Sequence, residues 1–154
     1  MRLVVAVVGK PRDNGLRLAI SDYETRAARY WPLDVHEVRE EKGGSLPAAL
    51  VMAREAERLR NTIPAGARTI ACHASGERRT SEEFADMLRS ARDADQSVAF
   101  VIGGAHGLAE EILAASQSRL SLAPWTLPHE LARLVLAEQI YRAGTIVRGQ
   151  PYHK

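Results

Sequence analysis

Three glycines fall within five positions after an apolar run in Phe100-Val-Ile-Gly-Gly-Ala-His-Gly107. A loop without side chains at the end of a strand lets a ligand approach the backbone closely. Phosphate-binding patterns do not match it. A dinucleotide fingerprint needs Gly-x-Gly-x-x-Gly, usually after the first strand, and a phosphate loop needs Gly-Lys-Ser/Thr. Spacing alone leaves two readings, a ligand-contacting loop at the carboxyl end of a buried strand and a tight strand-to-helix turn.

A second stretch, Leu120-Ser-Leu-Ala-Pro-Trp-Thr-Leu-Pro-His-Glu130, frames a mostly apolar loop between prolines and runs into a helix. It reads either as the lining of an apolar pocket or as ordinary helix initiation with Pro128 at the start. On that helix Leu131, Leu134, Val135 and Tyr141 share one arc, and Leu136 and Ile140 lie opposite. A helix apolar on most sides is covered on most sides, so we expect the sheet on one face and a second subunit on the other. Glu138 and Arg142 stand four residues apart on the first arc, a spacing that lets them pair. That pair is either a buried structural ion pair or a polar patch at an active site or dimer seam.

Other chemistries find little support. The histidines at 36, 73, 106, 129 and 153 show no metal-ligand spacing, and Cys72-His73 alone builds no zinc site. There is no serine nucleophile elbow, and no carboxylate pair stands out for acid–base work. The single cysteine excludes an internal disulfide and fits a reducing cytosol, so a cytoplasmic location is expected. No apolar run approaches the roughly 20 residues of a membrane span. The N-terminal run is too short for a signal peptide. With 21 basic and 19 acidic residues, the net charge of +2 is compatible with an RNA partner without calling for one.

The elements that must hold these residues alternate. Strands are predicted at Leu3–Val8, Leu33–Val38, Thr69–Cys72, Ser97–Ile102 and Leu120–Leu122. Helices are predicted from Leu16 to Tyr30, from a Ser45 N-cap with Pro47 in the first turn, and from Thr80 to about Ala94. Two more follow, over Leu108–Ser116 and from Pro128 to about Ala143. Thr80 and Glu83 stand at capping-box spacing, and His73–Arg79 reads as a loop. Five strand–helix alternations imply one α/β domain over residues 1–154, with a mainly parallel sheet and helices on both faces.

Three segments, "FVIGGAHGL", "LSLAPWTLPHELARLVLAEQIYRA" and "PYHK", together resemble the ribosomal RNA large subunit methyltransferase H family of the SPOUT superfamily. The likeness runs from the Leu3–Gly9 strand onward and is strongest from Val101 to Lys154. It implies a C-terminal trefoil knot and a homodimer packed through knot helices. The implied cofactor is S-adenosylmethionine (SAM), with no metal. The implied reaction is methylation at N3 of a pseudouridine in 23S rRNA within assembled 70S ribosomes, and the bland alternative is an inactive ribosome- or RNA-binding module of the same fold. Carried onto this sequence, the cofactor would be held by Cys72, Gly103, Leu122, Ala123, Pro124, Trp125, Thr126 and Leu127. Gly103 would open the backbone to the cofactor. His129, Arg142 and His153 are the candidates for assisting loss of the N3 proton. Tyr152, His153 and Lys154 would reach the ribosome or the other subunit's site.

Overall fold

Every side chain of β1 (Leu3–Val8) is buried, because the strand lies between two paired neighbours and is covered on both faces. The computed structural model describes residues 1–42 and 44–153, the last of these in its backbone only. Lys154, and with it one of the expected substrate contacts, lies outside the described residues, as does the His153 side chain.

Beside β1 lie β2 (Leu33–Val38) and β4 (Val98–Ile102), and β3 (Arg68–Glu77) and β5 (Ser118–Leu120) complete the sheet. Among the described residues the order is β2-β1-β4-β3-β5 and all pairings are parallel. Leu3, Val5 and Val7 face a core layer built with α1 (Asn14–Ala27), α3 (Ser81–Asp93) and α5 (His129–Val147). Ala6 and Val8 point the other way, toward α2 (Ala48–Arg60) and α4 (Glu110–Ala115). The two-residue period of a strand produces both cores from one continuous apolar run. The α/β, parallel, doubly covered architecture expected from the sequence is what forms.

Several local expectations are corrected. Ser45 does not cap α2; the helix begins at Ala48, and Pro47 holds the N-cap position at φ −57 and ψ 141. A proline disfavours helical backbone in the residue before it, so the helix cannot start at Leu46. The third strand does not end at Cys72. Residues 73–77 continue it, with a register irregularity in which both Cys72 and Glu77 align with Leu120. Gly76 makes this possible, since a Cβ there would sit 2.6 Å from the Leu120 carbonyl carbon. The fifth strand is Ser118–Leu120, ending where Leu120–Leu122 was expected to begin. The last helix runs past Ala143 to Val147, and α1 ends at Ala27, ahead of Tyr30. The Thr80–Glu83 capping box is present, with Glu83 N–H donating to Thr80 Oγ1 at 3.2 Å and Thr80 N–H donating to Glu83 Oε2 at 2.8 Å.

On α5 the Leu136–Ile140 arc is the core side. Leu136 and Ile140 are fully buried, whereas Leu131 remains 36% exposed and Leu134 and Val135 are half-buried. Trp31 fixes the helix to the loop after α1 by donating its indole N–H to the Ile140 carbonyl at 3.0 Å.

Candidate functional site

β1 and β4 are neighbours, yet the helices that follow them go to opposite faces, α1 to one and α4 to the other. Chains that part in this way leave a crevice at the carboxyl ends of the strands, the place where α/β sheets bind ligands. A cleft of about 690 Å³ lies at the carboxyl end of β4, on the side of β3, within the 300–1,000 Å³ or so of small-molecule sites. Its walls come from the middle of β3, the end of β4 and the loop after it, the loop after β5 and the first turn of α5.

Seven of the eight expected cofactor residues line it: Cys72, Gly103, Leu122, Ala123, Trp125, Thr126 and Leu127. Pro124 does not line the cleft. Trp125 stands at the mouth with 76% of its surface exposed, so its indole is not sandwiched inside. His73, Gly104, His106 and His129 add polar or bare backbone positions that the resemblance did not assign to the cofactor. The walls are otherwise backbone and apolar side chain, without a basic cradle for phosphate. A ligand with an apolar, partly aromatic body and no phosphate fits such a slot.

The glycine-rich loop is both a turn and a wall. Gly107 takes φ +82 and its N–H donates to the Gly104 carbonyl at 3.0 Å, closing the turn. The folded loop gives Gly103 a reason of its own to be bare: a Cβ there would lie 2.5 Å from the Gly107 carbonyl carbon and oxygen. The loop's own backbone crosses over Gly103, and the cleft is shaped by that crossing.

Cys72, half-buried, is part of the cleft wall, and desolvation by its surroundings pushes its thiol up to about 12. Relative to an ordinary thiol at 9.0, its thiolate population at neutral pH is about a thousandfold smaller. Alkylation by iodoacetamide at pH 8 should therefore be slow in the folded protein and fast in urea. Equal rates in both, followed by mass spectrometry, would show a thiol open to solvent.

Of the two candidate catalytic residues whose side chains are described, His129 lines this cleft and Arg142 does not; the His153 side chain lies outside the described residues. The Nε2 of His129 would lie 3.7 Å from a Cβ on Gly9, so the ring packs over the bare end of β1. Arg12 N–H donates to Glu130 Oε1 at 3.0 Å, tying the start of α5 to the loop after β1. Arg142 stands 13 residues farther along α5, roughly 20 Å at 1.5 Å per residue. It belongs to a separate group, in which its guanidinium pairs with Glu138 at 2.6 Å and lies 4.9 Å over the Tyr152 ring. The Glu138 hydrogen bond, against some burial, raises the Arg142 pKa. Tyr152 donates to Glu138 Oε1 at 3.2 Å and its hydroxyl meets that of Tyr23 at 3.3 Å. Burial, with Tyr23 and the Glu138 charge, raises the phenol above its ordinary value and keeps it protonated. The Glu138–Arg142 pair expected from spacing thus forms, half-buried, beside the C-terminal tail.

Two charged residues that sequence reasoning did not single out are buried. Glu55, on α2, is 3% exposed, and Arg133, on α5, is 6% exposed. Glu55 lies four residues from both Val51 and Leu59, on the apolar stripe of its helix. That position was the available signal. Among the described residues, no group of three or more His, Cys, Asp or Glu side chains could hold a metal, and no helix is long and apolar enough to cross a membrane.

Comparison with known proteins bears on the cleft. A family model described as "Predicted SPOUT methyltransferase" matches residues 1–153. Ribosomal RNA large subunit methyltransferase H of Gemmatimonas aurantiaca is 57% identical over 154 residues, covering 100% of both chains. The protein of that name from Geobacter sp. strain M21 is 42% identical over 99% of each chain. A solved structure, a probable methyltransferase from Bordetella pertussis Tohama I, superposes with a TM-score of 0.57 at 14% identity. It covers 92% of this chain and 95% of that one, and shares the fold.

Proposed function

Because the chain belongs to the SPOUT methyltransferase family, and within it to the ribosomal RNA large subunit methyltransferase H family, we propose that it methylates N3 of a pseudouridine in 23S rRNA. The methyl donor is SAM, the substrate is the assembled 70S ribosome, and the enzyme acts in the cytoplasm as a homodimer with a knotted C-terminal region. The observation that supports this most directly is the cleft itself. It has the volume for SAM, it is walled by backbone and apolar groups, and it lacks a phosphate cradle.

SAM supplies a methyl group already activated on a sulfonium, which leaves the chain two tasks, alignment and help with the N3 proton. The loops after β4 and β5 would hold the cofactor body between Gly103 and Leu122–Leu127. His129, on the cleft wall, is assigned to accept or share the proton as the weakly acidic imide is methylated. Arg142 and the Tyr152 ring packed against it lie too far from the start of α5 to serve their own cleft. In a dimer paired through the half-exposed Leu131–Leu134–Val135 face they would serve the partner's.

The test is methyl transfer from labelled SAM to unmodified 70S ribosomes, free rRNA and separated subunits, with mass spectrometry of the rRNA fragments. Label at N3 of one pseudouridine, on 70S particles only, is the expected result. His129→Ala should lower turnover by about 10²–10⁴, the usual span for a proton-transfer group, with cofactor affinity retained. SAM binding without transfer to any substrate would instead leave an RNA-binding module.

A further inference from the structure

Glu55 Oε2 is the one buried side-chain polar atom without a hydrogen-bond partner among the described residues. Buried carboxylate oxygens are rarely left so, because desolvation is then uncompensated. The other oxygen is used: Glu41 N–H donates to Oε1 at 3.0 Å. Oε2 lies beneath the glycine-rich loop, 2.9 Å from where a Gly104 Cβ would be. Gly104 lines the cofactor cleft, and Glu55 lines a second pocket of about 480 Å³ on the other side of the loop. The two cavities share Ala105 and His106, so the carboxylate sits at their junction.

The second pocket has a basic rim. Arg12 is committed to Glu40. Arg39 and Lys42 also line the pocket, and their side chains make no ion pair among the described residues. The loop that carries them is pinned to α2 by Glu41, which pairs with Arg58 and with Arg54. The Arg58 hydrogen bond, against desolvation, lowers the Glu41 pKa. This anchoring is present at neutral pH and is lost only as pH falls through that lowered value.

Two uncommitted cations above an uncommitted buried acceptor describe a ligand with an anionic group at one end and an N–H or O–H donor at the other. We propose that this pocket receives the target nucleotide, its backbone phosphate on Arg39 and Lys42 and a ring N–H of its base on Glu55 Oε2. The inference rests on the function proposed above. Methylation at N3 places that nitrogen toward the cofactor cleft, which leaves N1 as the other ring nitrogen. Pseudouridine carries N1–H, because its sugar is joined through carbon. Uridine has its glycosidic bond at N1 and offers no donor. Glu55 therefore selects pseudouridine, and Gly104, lacking a side chain, leaves room for the carboxylate oxygen beneath the loop.

The experiment compares 70S ribosomes carrying pseudouridine or uridine at the target position. Wild-type protein should prefer pseudouridine in kcat/KM by about 10–100-fold, the range of one hydrogen bond to a charged group. In Glu55→Gln the amide oxygen stays on Glu41 N–H and turns an NH₂ donor toward the base. The preference should fall to about twofold or less, with the SAM dissociation constant from calorimetry unchanged. An Arg39→Ala/Lys42→Ala double variant, altered only at the rim, should raise KM for ribosomes about tenfold and flatten its salt dependence. It should keep the pseudouridine preference. Equal use of both ribosomes by wild type, or full preference in Glu55→Gln, overturns the role of Glu55. If Glu55→Gln does not fold, the rim variant decides, and an unchanged KM and salt slope reject the pocket. Methylation of neither ribosome by SAM-bound wild type would instead refute the proposed function.

Discussion

Gly103→Ala should abolish measurable SAM binding and lower the melting midpoint by about 10 °C. The added methyl would lie 2.5 Å from the carbonyl of Gly107 and 2.8 Å from the Leu108 nitrogen. Both contacts are backbone, held by the turn that Gly107 closes, so no side-chain rotation relieves them. Overpacking of this kind costs about 1–3 kcal/mol, with the upper end expected where backbone must move. For a domain of this size, about 3 kcal/mol corresponds to roughly 10 °C. The loop can relieve the contact only by lifting away from Gly103, which deforms the cleft wall. Gly107→Ala is the control. Its φ of +82 strains an L residue, but nothing lies within 4 Å of the new Cβ, so the expected cost is about 1–2 kcal/mol. Thermal unfolding and calorimetric titration with SAM measure both effects. An alanine at 103 tolerated as well as one at 107 would mean that the crossing is looser than the geometry indicates.

Arg133→Met should destabilise the fold by about 3–5 kcal/mol, the usual loss when one member of a buried ionic group is removed. Arg133 donates from Nε to Glu24 Oε1 at 2.7 Å and from its terminal nitrogens to Glu24 Oε2 at 3.1 Å and Glu37 Oε1 at 2.6 Å. Burial opposes its charge, but the hydrogen bonds and charges of Glu24 and Glu37 outweigh that and raise its pKa. One side chain thus joins α5 to α1 and to β2, the edge strand. Methionine fills much of the volume but leaves the half-buried Glu24 carboxylate and that of Glu37 beside each other without their shared cation. A triple variant with Glu24→Gln and Glu37→Gln should recover most of the loss, since the damage lies in uncompensated charge. Urea unfolding of the single and triple variants measures this. Equal losses would assign the effect to packing alone.

Both variants act on features whose residues are plain in the sequence and whose reasons are not. The apolar run of β1, the Thr80–Glu83 box and the alternation of strands and helices are local signals, set by two-residue and 3.6-residue periods and by capping chemistry. They were enough to establish a parallel α/β sheet with helices on both faces. The segments from Val101 onward were enough to point to the family. Spacing also predicted the Glu138–Arg142 pair, because four residues on one helix bring side chains together whatever the rest of the chain does.

What required the tertiary structure depends on distant segments meeting. Gly103 reads from the sequence as an opening for a cofactor, and the fold adds that Gly107 crosses above it, where a Cβ would clash. Only the folded turn could reveal that. The third strand continues past Cys72 because Glu77 and Leu120 pair across the chain. Arg142 and His129 share one helix in the sequence, yet only the length of α5 puts them at different places. Arg133 is neutralised by residues 96 and 109 positions away. Glu55 was visible as a charge on an apolar stripe, but its unpaired oxygen came into view only when the loop after β4 folded over it. The sequence alone determined the layers and the family, since those follow from local periodicity and shared motifs. The lining of the cleft, its supports and the unsatisfied acceptor beneath the neighbouring loop arise from contacts between remote segments, and only the tertiary structure decided them.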